Sequence, residues 1–309
     1  MSAQGRPKRE QPRSATARRE VLTLDTHYVN IGAQKLRVAI KRGDPSRTPL
    51  VIFNGVGANL ELLEGVALAL HDIEVVTFDV PGVGGSPLPK SPYRFRTLAR
   101  LTEAMLDALG YRAAVDVLGV SWGGALAQQF ARTCAPRCRR LVLAATSAGA
   151  VMIPGRLGAL FTLMSPRRYR DPEFMQRVAP QIYGGRIAEQ PDLIAPFVKH
   201  MRPPDARGYF LQQLALAGWT SLPWLSRLTQ PTLILAGTRD PLIHVANAKL
   251  MHRLIPNSRL QLIDDGHLFL LTNRQLAADS IARFLRDDDP LAADRMDQAR
   301  GRPAWRASA

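Results

Sequence analysis

The sequence predicts an α/β fold, in which a mostly parallel sheet is covered by helices on both faces and carries an inserted helical cap. Short apolar runs, which are typical of buried strands, alternate along the chain with segments of helical periodicity. This alternation stops over residues 147–223, which are rich in apolar side chains and broken by prolines, and then resumes. With 309 residues and 46% hydrophobic content, the chain can bury a core large enough for such a fold.

The first part of the core is predicted over residues 21–146. Residues 21–40 contain two strands around Gly32-Ala33, which predicts a hairpin at the edge of the sheet. Further strands are predicted over residues 50–53, 73–78, 113–120 and 141–145, and helices over residues 60–70, 95–109 and 125–131. This spacing implies parallel strands joined by crossovers, and functional residues collect at the carboxyl ends of such strands.

The second part of the core is predicted over residues 224–286. Its strands are predicted over residues 232–236 and 259–263, and its helices over residues 245–254 and 275–285. Between the two parts, residues 147–223 predict a cap of short helices that lines the substrate site. Cap helices that pack only on a small core of their own are the alternative. Residues 1–20 are predicted to be a disordered basic arm, and residues 287–309 a disordered polar tail.

The composition limits the classes of function. The formal net charge is +15, but no basic stripe alternates with aromatic side chains, so nucleic-acid binding is not predicted. No apolar run reaches the ~20 residues that span a membrane, and the N-terminus lacks the apolar region of a secretory signal. Cys134 and Cys138 are interpreted as reduced, buried thiols, which favours a cytoplasmic location. The basic arm is either a solvated tail or a tether to an anionic surface.

The motif that organises the chain is Gly119-Val-Ser-Trp-Gly-Gly124, between a predicted strand and a predicted helix. Gly-x-Ser-x-Gly in this context is the nucleophile-elbow pattern, which places a serine on a strained turn above the sheet. A Cβ atom at position 119 or 123 would collide with neighbouring backbone, so both positions need glycine. The motif therefore predicts that Ser121 is a catalytic nucleophile.

A nucleophilic serine needs a histidine base, which a carboxylate must orient. In sheets of this kind the chain order is serine, acid, histidine. Of the six histidines, only His267 lies in a loop directly after the last core strand, so it is the predicted base. Asp240 follows the preceding strand and is the predicted acid. Asp264 and Asp265 are the alternatives, but they more naturally shape the histidine loop, and Asp79 is interpreted as a structural turn residue.

An oxyanion hole requires backbone N–H groups that point at the developing negative charge. Trp122, directly after the nucleophile, is predicted to supply one of them. The loop after the strand at residues 50–53 is predicted to supply the other through Val56, which follows Asn54-Gly55.

Six segments of the chain carry a family resemblance. They are Phe53-Asn-Gly-Val-Gly-Ala-Asn-Leu-Glu61, Phe78-Asp-Val-Pro-Gly-Val-Gly-Gly-Ser86, Gly119-Val-Ser-Trp-Gly-Gly-Ala-Leu-Ala-Gln-Gln-Phe130, Leu141-Val-Leu-Ala-Ala-Thr146, Ser165-Pro-Arg-Arg-Tyr169 and Ile263-Asp-Asp-Gly-His-Leu-Phe-Leu270. In them the chain resembles the intracellular depolymerases of medium-chain-length poly(3-hydroxyalkanoate), which have the alpha/beta-hydrolase fold. The resemblance covers most of residues 21–285, including the cap.

The resemblance implies hydrolysis of the aliphatic polyester of cytoplasmic storage granules, through an acyl-enzyme and without a metal or a cofactor. The products would be hydroxyacid monomers or oligomers. The family's nucleophile, acid and base match Ser121, Asp240 and His267. Related polymer synthases carry a cysteine nucleophile, so the serine favours hydrolysis. The expected location is the granule surface, and the expected partners are the polyester granule and its coat proteins.

Two other classes of function stay open. A small-molecule carboxylesterase or a C–C bond hydrolase on the same fold would share these residues and differ in its cap. A non-catalytic granule-binding protein would need no catalytic residues, and the intact order of serine, acid and histidine argues against it.

Overall fold

The computed structural model describes residues 24–286, which form an eight-stranded sheet with helices on both faces. The strands are β1 (Asp25–Ile31), β2 (Gln34–Lys41), β3 (Leu50–Phe53), β4 (Val75–Phe78), β5 (Val115–Val120), β6 (Cys138–Ala144), β7 (Thr232–Gly237) and β8 (Ser258–Ile263). Their spatial order is β1-β2-β4-β3-β5-β6-β7-β8. Strand β2 is antiparallel to β1 and β4, and the other neighbours are parallel. The predicted edge hairpin and mostly parallel sheet are confirmed.

The helices connect these strands and cover the sheet. They are α1 (Glu64–Ala69), α2 (Phe95–Ala108), α3 (Trp122–Thr133), α4 (Leu157–Met164), α5 (Arg167–Arg170), α6 (Pro172–Tyr183), α7 (Gly185–Glu189), α8 (Ala195–His200), α9 (Ala206–Leu216), α10 (Ala246–Leu254), α11 (Phe269–Thr272) and α12 (Arg274–Arg286). The helix predicted over residues 60–70 is divided into a 3₁₀ turn, Leu60–Leu63, and α1. The Leu60 amide donates to the buried Asp79 carboxylate at 2.8 Å, which anchors this turn beside β4.

The central strands bury side chains on both faces of the sheet. Val51 and Val117 pack in the layer that contains α2 and α3, whereas Ile52 and Leu118 pack in the layer that contains α1 and α12. Successive residues of a strand point to opposite faces, so a strand that is covered on both sides is mostly apolar. This is why the strands could be recognised in the sequence as continuous apolar runs.

Helices α4 to α9 lie between β6 and β7 in the chain. Met175 and Ile182 of α6 pack with Ile194 on Leu242, which follows β7. Tyr209 of α9 belongs instead to the main core cluster that also contains Val56. The inserted helices therefore have a small core of their own and also contact the loops at the carboxyl ends of the strands.

Several other predictions concern the chain as a whole. The arm at residues 1–20 and the tail at residues 287–309 lie outside the described residues, so their predictions stay predictions. Within residues 24–286, no helix combines the length and the apolar character needed to cross a membrane. Cys134 and Cys138 are buried free thiols, and burial raises the pKa of Cys134 to about 12, which makes it a poor nucleophile.

Candidate active site

The predicted site residues follow strands whose carboxyl ends lie at one edge of the sheet. Val56 follows β3, Ser121 follows β5, Asp240 follows β7 and His267 follows β8. The structure brings Val56, Ser121 and His267 to the wall of one cavity, and it joins Asp240 to His267 by a hydrogen bond.

Ser121 occupies a strained backbone conformation between β5 and α3. Its backbone has a φ of 54° and a ψ of −118°. In the described part of the chain, Ser121 and Ala145 are the two non-glycine residues with a positive φ. The Ser121 amide donates to the Ala144 carbonyl at 2.9 Å. Its carbonyl accepts from the Gly124 amide at 2.9 Å and from the Thr146 hydroxyl at 2.7 Å. Because such strain persists only when surrounding contacts impose it, these bonds hold the elbow in place.

The glycines of the motif are required by close packing. A Cβ atom on Gly119 would lie 2.7 Å from the Cα atom of Gly124, and one on Gly123 would lie 2.6 Å from the Asn54 carbonyl oxygen. Both contacts are with backbone atoms, which cannot move without displacing an element of the core. The steric argument made from the sequence for positions 119 and 123 is therefore confirmed.

We expect Gly123→Ala to lower the free energy of unfolding by about 1–3 kcal/mol or more, because the added methyl group collides with the backbone after β3. Chemical denaturation of both proteins measures the difference. Gly158→Ala in α4 is the matched control, since a Cβ atom there meets nothing within 4 Å. Alanine at that helical position should be neutral or stabilising, by up to about 1 kcal/mol. Equal unfolding energies for Gly123→Ala and the wild type would contradict the close packing of the elbow.

Asp240 and His267 form a buried pair. The Nδ1 atom of His267 lies 2.7 Å from Oδ2 of Asp240, and both side chains are almost fully buried. The other carboxylate oxygen accepts from the Leu242 and Ile243 amides at 2.8 and 3.0 Å, which fixes its orientation. The His267 amide donates to the Tyr183 carbonyl at 2.7 Å. Since Asp240 engages Nδ1, Nε2 is the ring nitrogen that is left to exchange a proton with a substrate or with Ser121.

The alternative acids occupy other roles in the structure. Asp265 is buried and accepts from the Arg186 and Gly266 amides at 2.8 and 2.7 Å, so it shapes the turn that precedes His267. Asp264 is exposed at the surface and pairs with Arg239 at 3.0 Å. These contacts agree with the expectation that Asp265 shapes the histidine loop, whereas the Asp264 side chain contacts the surface beside β7.

The two predicted oxyanion donors lie at the same cavity as Ser121. Val56 and Trp122 both line the apolar cavity that contains Ser121. Trp122 is the first residue of α3, and the first amides of a helix have no acceptor within it. Asn54 shapes the other loop, because its side-chain oxygen accepts from the Gly55 amide at 2.9 Å. Both residues therefore lie at the cavity that the prediction requires, and their role as oxyanion donors stays a prediction.

Two cavities meet at Ser121. The first, which we call the apolar cavity, has a volume of about 340 Å³ and is lined largely by apolar side chains of the segment between β6 and β7, such as Met152, Leu160 and Met164. The second, which we call the histidine-side cavity, has a volume of about 60 Å³ and is lined by Ser121, His267 and other residues of the core and the inserted helices. Within residues 24–286, no group of three or more His, Cys, Asp and Glu side chains is placed to hold a metal ion.

Sequence reasoning missed several residues that support the site. Thr146 supports the elbow, and Tyr183 stacks on His267 with ring centroids 6.3 Å apart. From α5, the Tyr169 hydroxyl donates to the Val56 carbonyl at 2.8 Å and Arg168 donates to the same oxygen at 3.3 Å. The segment Ser165-Pro-Arg-Arg-Tyr169 is one of those that carry the family resemblance, and that resemblance was the signal that could have drawn attention to it. The sequence analysis predicted no role for its residues.

Comparison with known proteins identifies the family of this chain. A family model of the alpha/beta hydrolase fold matches residues 48–274. The chain belongs to the alpha/beta hydrolase family. The poly(3-hydroxyalkanoate) depolymerase of Ectopseudomonas oleovorans is 51% identical over 84% of this chain and 92% of its own length. The 3-oxoadipate enol-lactonase 2 of Acinetobacter baylyi is 25% identical over 73% of this chain and 84% of its own length.

Solved structures show the same fold at lower identity. A hydrolase from Pseudomonas aeruginosa PA01 is 22% identical, with a TM-score of 0.73, over 85% of this alpha/beta hydrolase and 99% of that chain. The enol-lactonase from Burkholderia xenovorans LB400 is also 22% identical, with a TM-score of 0.72, over 84% and 100% of the two chains. The resemblance, the fold and the enzyme class predicted from the sequence, a carboxylic ester hydrolase, are confirmed.

Proposed function

We propose that this alpha/beta hydrolase is a serine enzyme that degrades intracellular medium-chain-length poly(3-hydroxyalkanoate) to hydroxyacid monomers or oligomers. The observation that carries the proposal is the 2.7 Å hydrogen bond between Asp240 and His267, beside the Ser121 elbow and an apolar cavity of about 340 Å³. The 51% identical relative that is named a poly(3-hydroxyalkanoate) depolymerase supports the polyester as the substrate.

In the proposed mechanism, Ser121 attacks the ester carbonyl while Nε2 of His267 accepts its proton. Asp240 stabilises the resulting imidazolium, and the Val56 and Trp122 amides bind the oxyanion. His267 then protonates the departing alcohol, and water activated by His267 releases the acid from the acyl-enzyme. Because His267 lines the histidine-side cavity, we assign that cavity to the part of the leaving alcohol next to the ester oxygen and the apolar cavity to the acyl unit.

The apolar cavity supports a medium-chain monomer. A polyester with methyl side chains would leave most of the 340 Å³ unfilled, whereas a longer alkyl chain would fill it and contact Met152, Leu160 and Met164. Each apolar Å² removed from water stabilises the complex by about 25 cal/mol. The same alkyl chain in a small soluble ester would fit equally well. The cavity therefore supports a preferred side-chain length, and activity on the polymer has to be measured separately.

The surface of the inserted helices supports a location at the granule surface. Leu157, Phe161 and Met164 share one face of α4 and are 64%, 70% and 61% exposed, and Phe210 and Leu214 of α9 are also exposed. Exposed apolar side chains that cluster beside a binding site are typical of an interaction surface. We propose that this face lies on the polyester of a cytoplasmic granule, with granule coat proteins as further partners. The net charge of +15 would favour an anionic coat.

The test is turbidity clearing of two latexes, one of medium-chain polyester and one of poly(3-hydroxybutyrate). We expect the wild-type protein to clear the medium-chain latex and to leave the other largely intact. A pelleting assay measures the fraction of protein bound to bare latex and to native granules, each at low and at high salt. Stronger binding to native granules than to latex, if high salt abolishes the difference, would indicate a partner in the granule coat. Clearing of neither latex, with aryl esters still cleaved, would instead indicate a small-molecule carboxylesterase.

A further inference from the structure

The inserted helices bury a guanidinium whose charge no carboxylate of the described residues balances. Arg168 is 2% exposed, and no Asp or Glu of residues 24–286 lies within ion-pair distance of it. Its Nη1 atom donates to the Tyr183 hydroxyl at 2.8 Å, and Nη2 lies 3.3 Å from both the Val56 carbonyl and the Tyr209 hydroxyl. Its Nε atom has no hydrogen-bond partner in the described part of the chain. Buried charges in proteins are normally paired, so this arrangement needs an explanation.

The aromatic neighbours do not supply the missing negative charge. The guanidinium carbon lies 4.3 Å from the centre of the Tyr169 ring, which gives a cation–π contact with a neutral group. Burial raises the pKa of Tyr169 and of Tyr183, so both hydroxyls stay protonated at neutral pH. Arg168 therefore keeps a full positive charge that neither Tyr169 nor Tyr183 neutralises.

The position of Arg168 gives this charge a chemical context. Arg168 lines the histidine-side cavity together with Ser121 and His267. Because His267 must protonate the departing oxygen, the group that enters this cavity belongs to the leaving alcohol. Its volume of about 60 Å³ holds roughly four atoms of the size of a water molecule, which is the room that a carboxymethyl group needs.

In a poly(3-hydroxyalkanoate), the alcohol side of each ester continues through a methylene group to the next carbonyl carbon. In the middle of the chain that carbonyl belongs to a neutral ester, but at the carboxyl end of the chain it is a free carboxylate. We propose that Arg168 binds this terminal carboxylate, so that the enzyme preferentially cleaves the last ester and releases a 3-hydroxyacid monomer. The inference rests on the proposed polyester function and adds to it a site for the chain end. Guanidinium and carboxylate groups form strong, charge-assisted hydrogen bonds of defined geometry.

A different role for Arg168 must be separated from this one. Its contact with the Val56 carbonyl could simply position the loop that carries the oxyanion donor. Loss of that contact would lower the rate for every ester, whatever its end group. Loss of a carboxylate site would lower the rate only for substrates that end in a carboxylate, so a ratio of two substrates distinguishes the roles.

The experiment uses two ester dimers of 3-hydroxyoctanoate, one that ends in a free carboxylate and one that ends in a primary carboxamide. The two ends have the same shape and differ in charge. We expect the wild-type protein to cleave the carboxylate dimer with a kcat/KM about tenfold to a hundredfold higher. Arg168→Gln should bring the ratio close to one, and Arg168→Lys, which keeps the charge, should restore part of the preference.

Other results would overturn the proposal. Equal kcat/KM values for the two dimers in the wild type would show that no carboxylate site operates. An unchanged preference in Arg168→Gln, with both rates reduced, would show that Arg168 only positions the Val56 loop. If Arg168→Gln does not fold, inhibition of the wild-type protein decides the question, because free 3-hydroxyoctanoate should inhibit aryl-ester hydrolysis at least tenfold more strongly than its amide. Equal inhibition would count against the site.

Failure of the proposed function gives a different pattern. A wild-type protein that cleaves aryl esters but neither dimer nor latex contradicts the polyester substrate. A wild-type protein that clears the medium-chain latex without preferring the carboxylate dimer contradicts only the role of Arg168.

Discussion

Replacing Ser121 with alanine is expected to lower kcat for ester hydrolysis by about 10⁴-fold or more. Alanine cannot form the acyl-enzyme, and His267 and Asp240 contribute little to catalysis when there is no serine hydroxyl to activate. The backbone at position 121, with φ of 54°, is strained equally for serine and alanine, so the fold should persist. The measurement is kcat for an aryl octanoate and for the medium-chain latex, with thermal unfolding to show that the variant is folded.

Ser147→Ala is the matched control for Ser121→Ala. Ser147 also lines the apolar cavity, but among residues 24–286 its hydroxyl bonds only to Gly149, at 3.3 Å, within its own turn. Its removal should cost less than tenfold in kcat, because a weak local hydrogen bond contributes about 1 kcal/mol. A fluorophosphonate probe should label the wild type and Ser147→Ala at Ser121, and it should not label Ser121→Ala. Residual activity of Ser121→Ala above a few per cent would assign the nucleophile to another residue.

The parts of the structure that the sequence predicted well are those governed by local pattern. Strands β5 and β7 are buried along their whole length and, apart from Asp116 and Thr232, have no polar side chain, because they are covered on both faces. Such apolar runs are visible without coordinates. The elbow was visible because backbone collisions at positions 119 and 123 exclude every residue except glycine. Asp240 and His267 could be proposed together because chain order in such a sheet fixes which strand ends lie near Ser121.

The parts that the sequence did not predict depend on contacts between distant residues. Arginine is almost always exposed, so nothing in the local sequence indicates that Arg168 is buried against Tyr183 and Tyr209. The bounds of the individual helices α4 to α9 could not be predicted, because several of them have six residues or fewer. Helices this short show no clear periodicity in sequence and form only through tertiary contacts. Thr146 follows a strand like many other threonines, and only the fold brings its hydroxyl to the carbonyl of Ser121.

Replacing Asp240 with asparagine is expected to lower kcat by about 10³- to 10⁴-fold while the protein stays folded. The asparagine oxygen can still accept from the Leu242 and Ile243 amides, so its amide nitrogen faces Nδ1 of His267. Two donors cannot share that contact, and the imidazole must therefore turn Nδ1 into an acceptor and carry its proton on Nε2. In that tautomer His267 cannot take the proton of Ser121. The measurement is kcat for the aryl octanoate, at a pH where the wild-type rate is constant.

The two neighbouring carboxylates provide the controls. Asp264→Asn changes a side chain that is 83% exposed and contacts only surface groups such as Arg239, so kcat should stay within about twofold of the wild type. Asp265→Asn keeps an oxygen for the Arg186 and Gly266 amides, but its amide nitrogen replaces the oxygen that accepts from the Asn273 side-chain nitrogen. Two buried donors then face each other, so the variant should lower the free energy of unfolding by about 1–3 kcal/mol and lower kcat much less than Asp240→Asn does. A larger loss of kcat in a stable Asp265→Asn protein would transfer the role of the acid to Asp265. The geometry argues against that outcome, because the hydrogen bond to Nδ1 of His267 comes from Asp240.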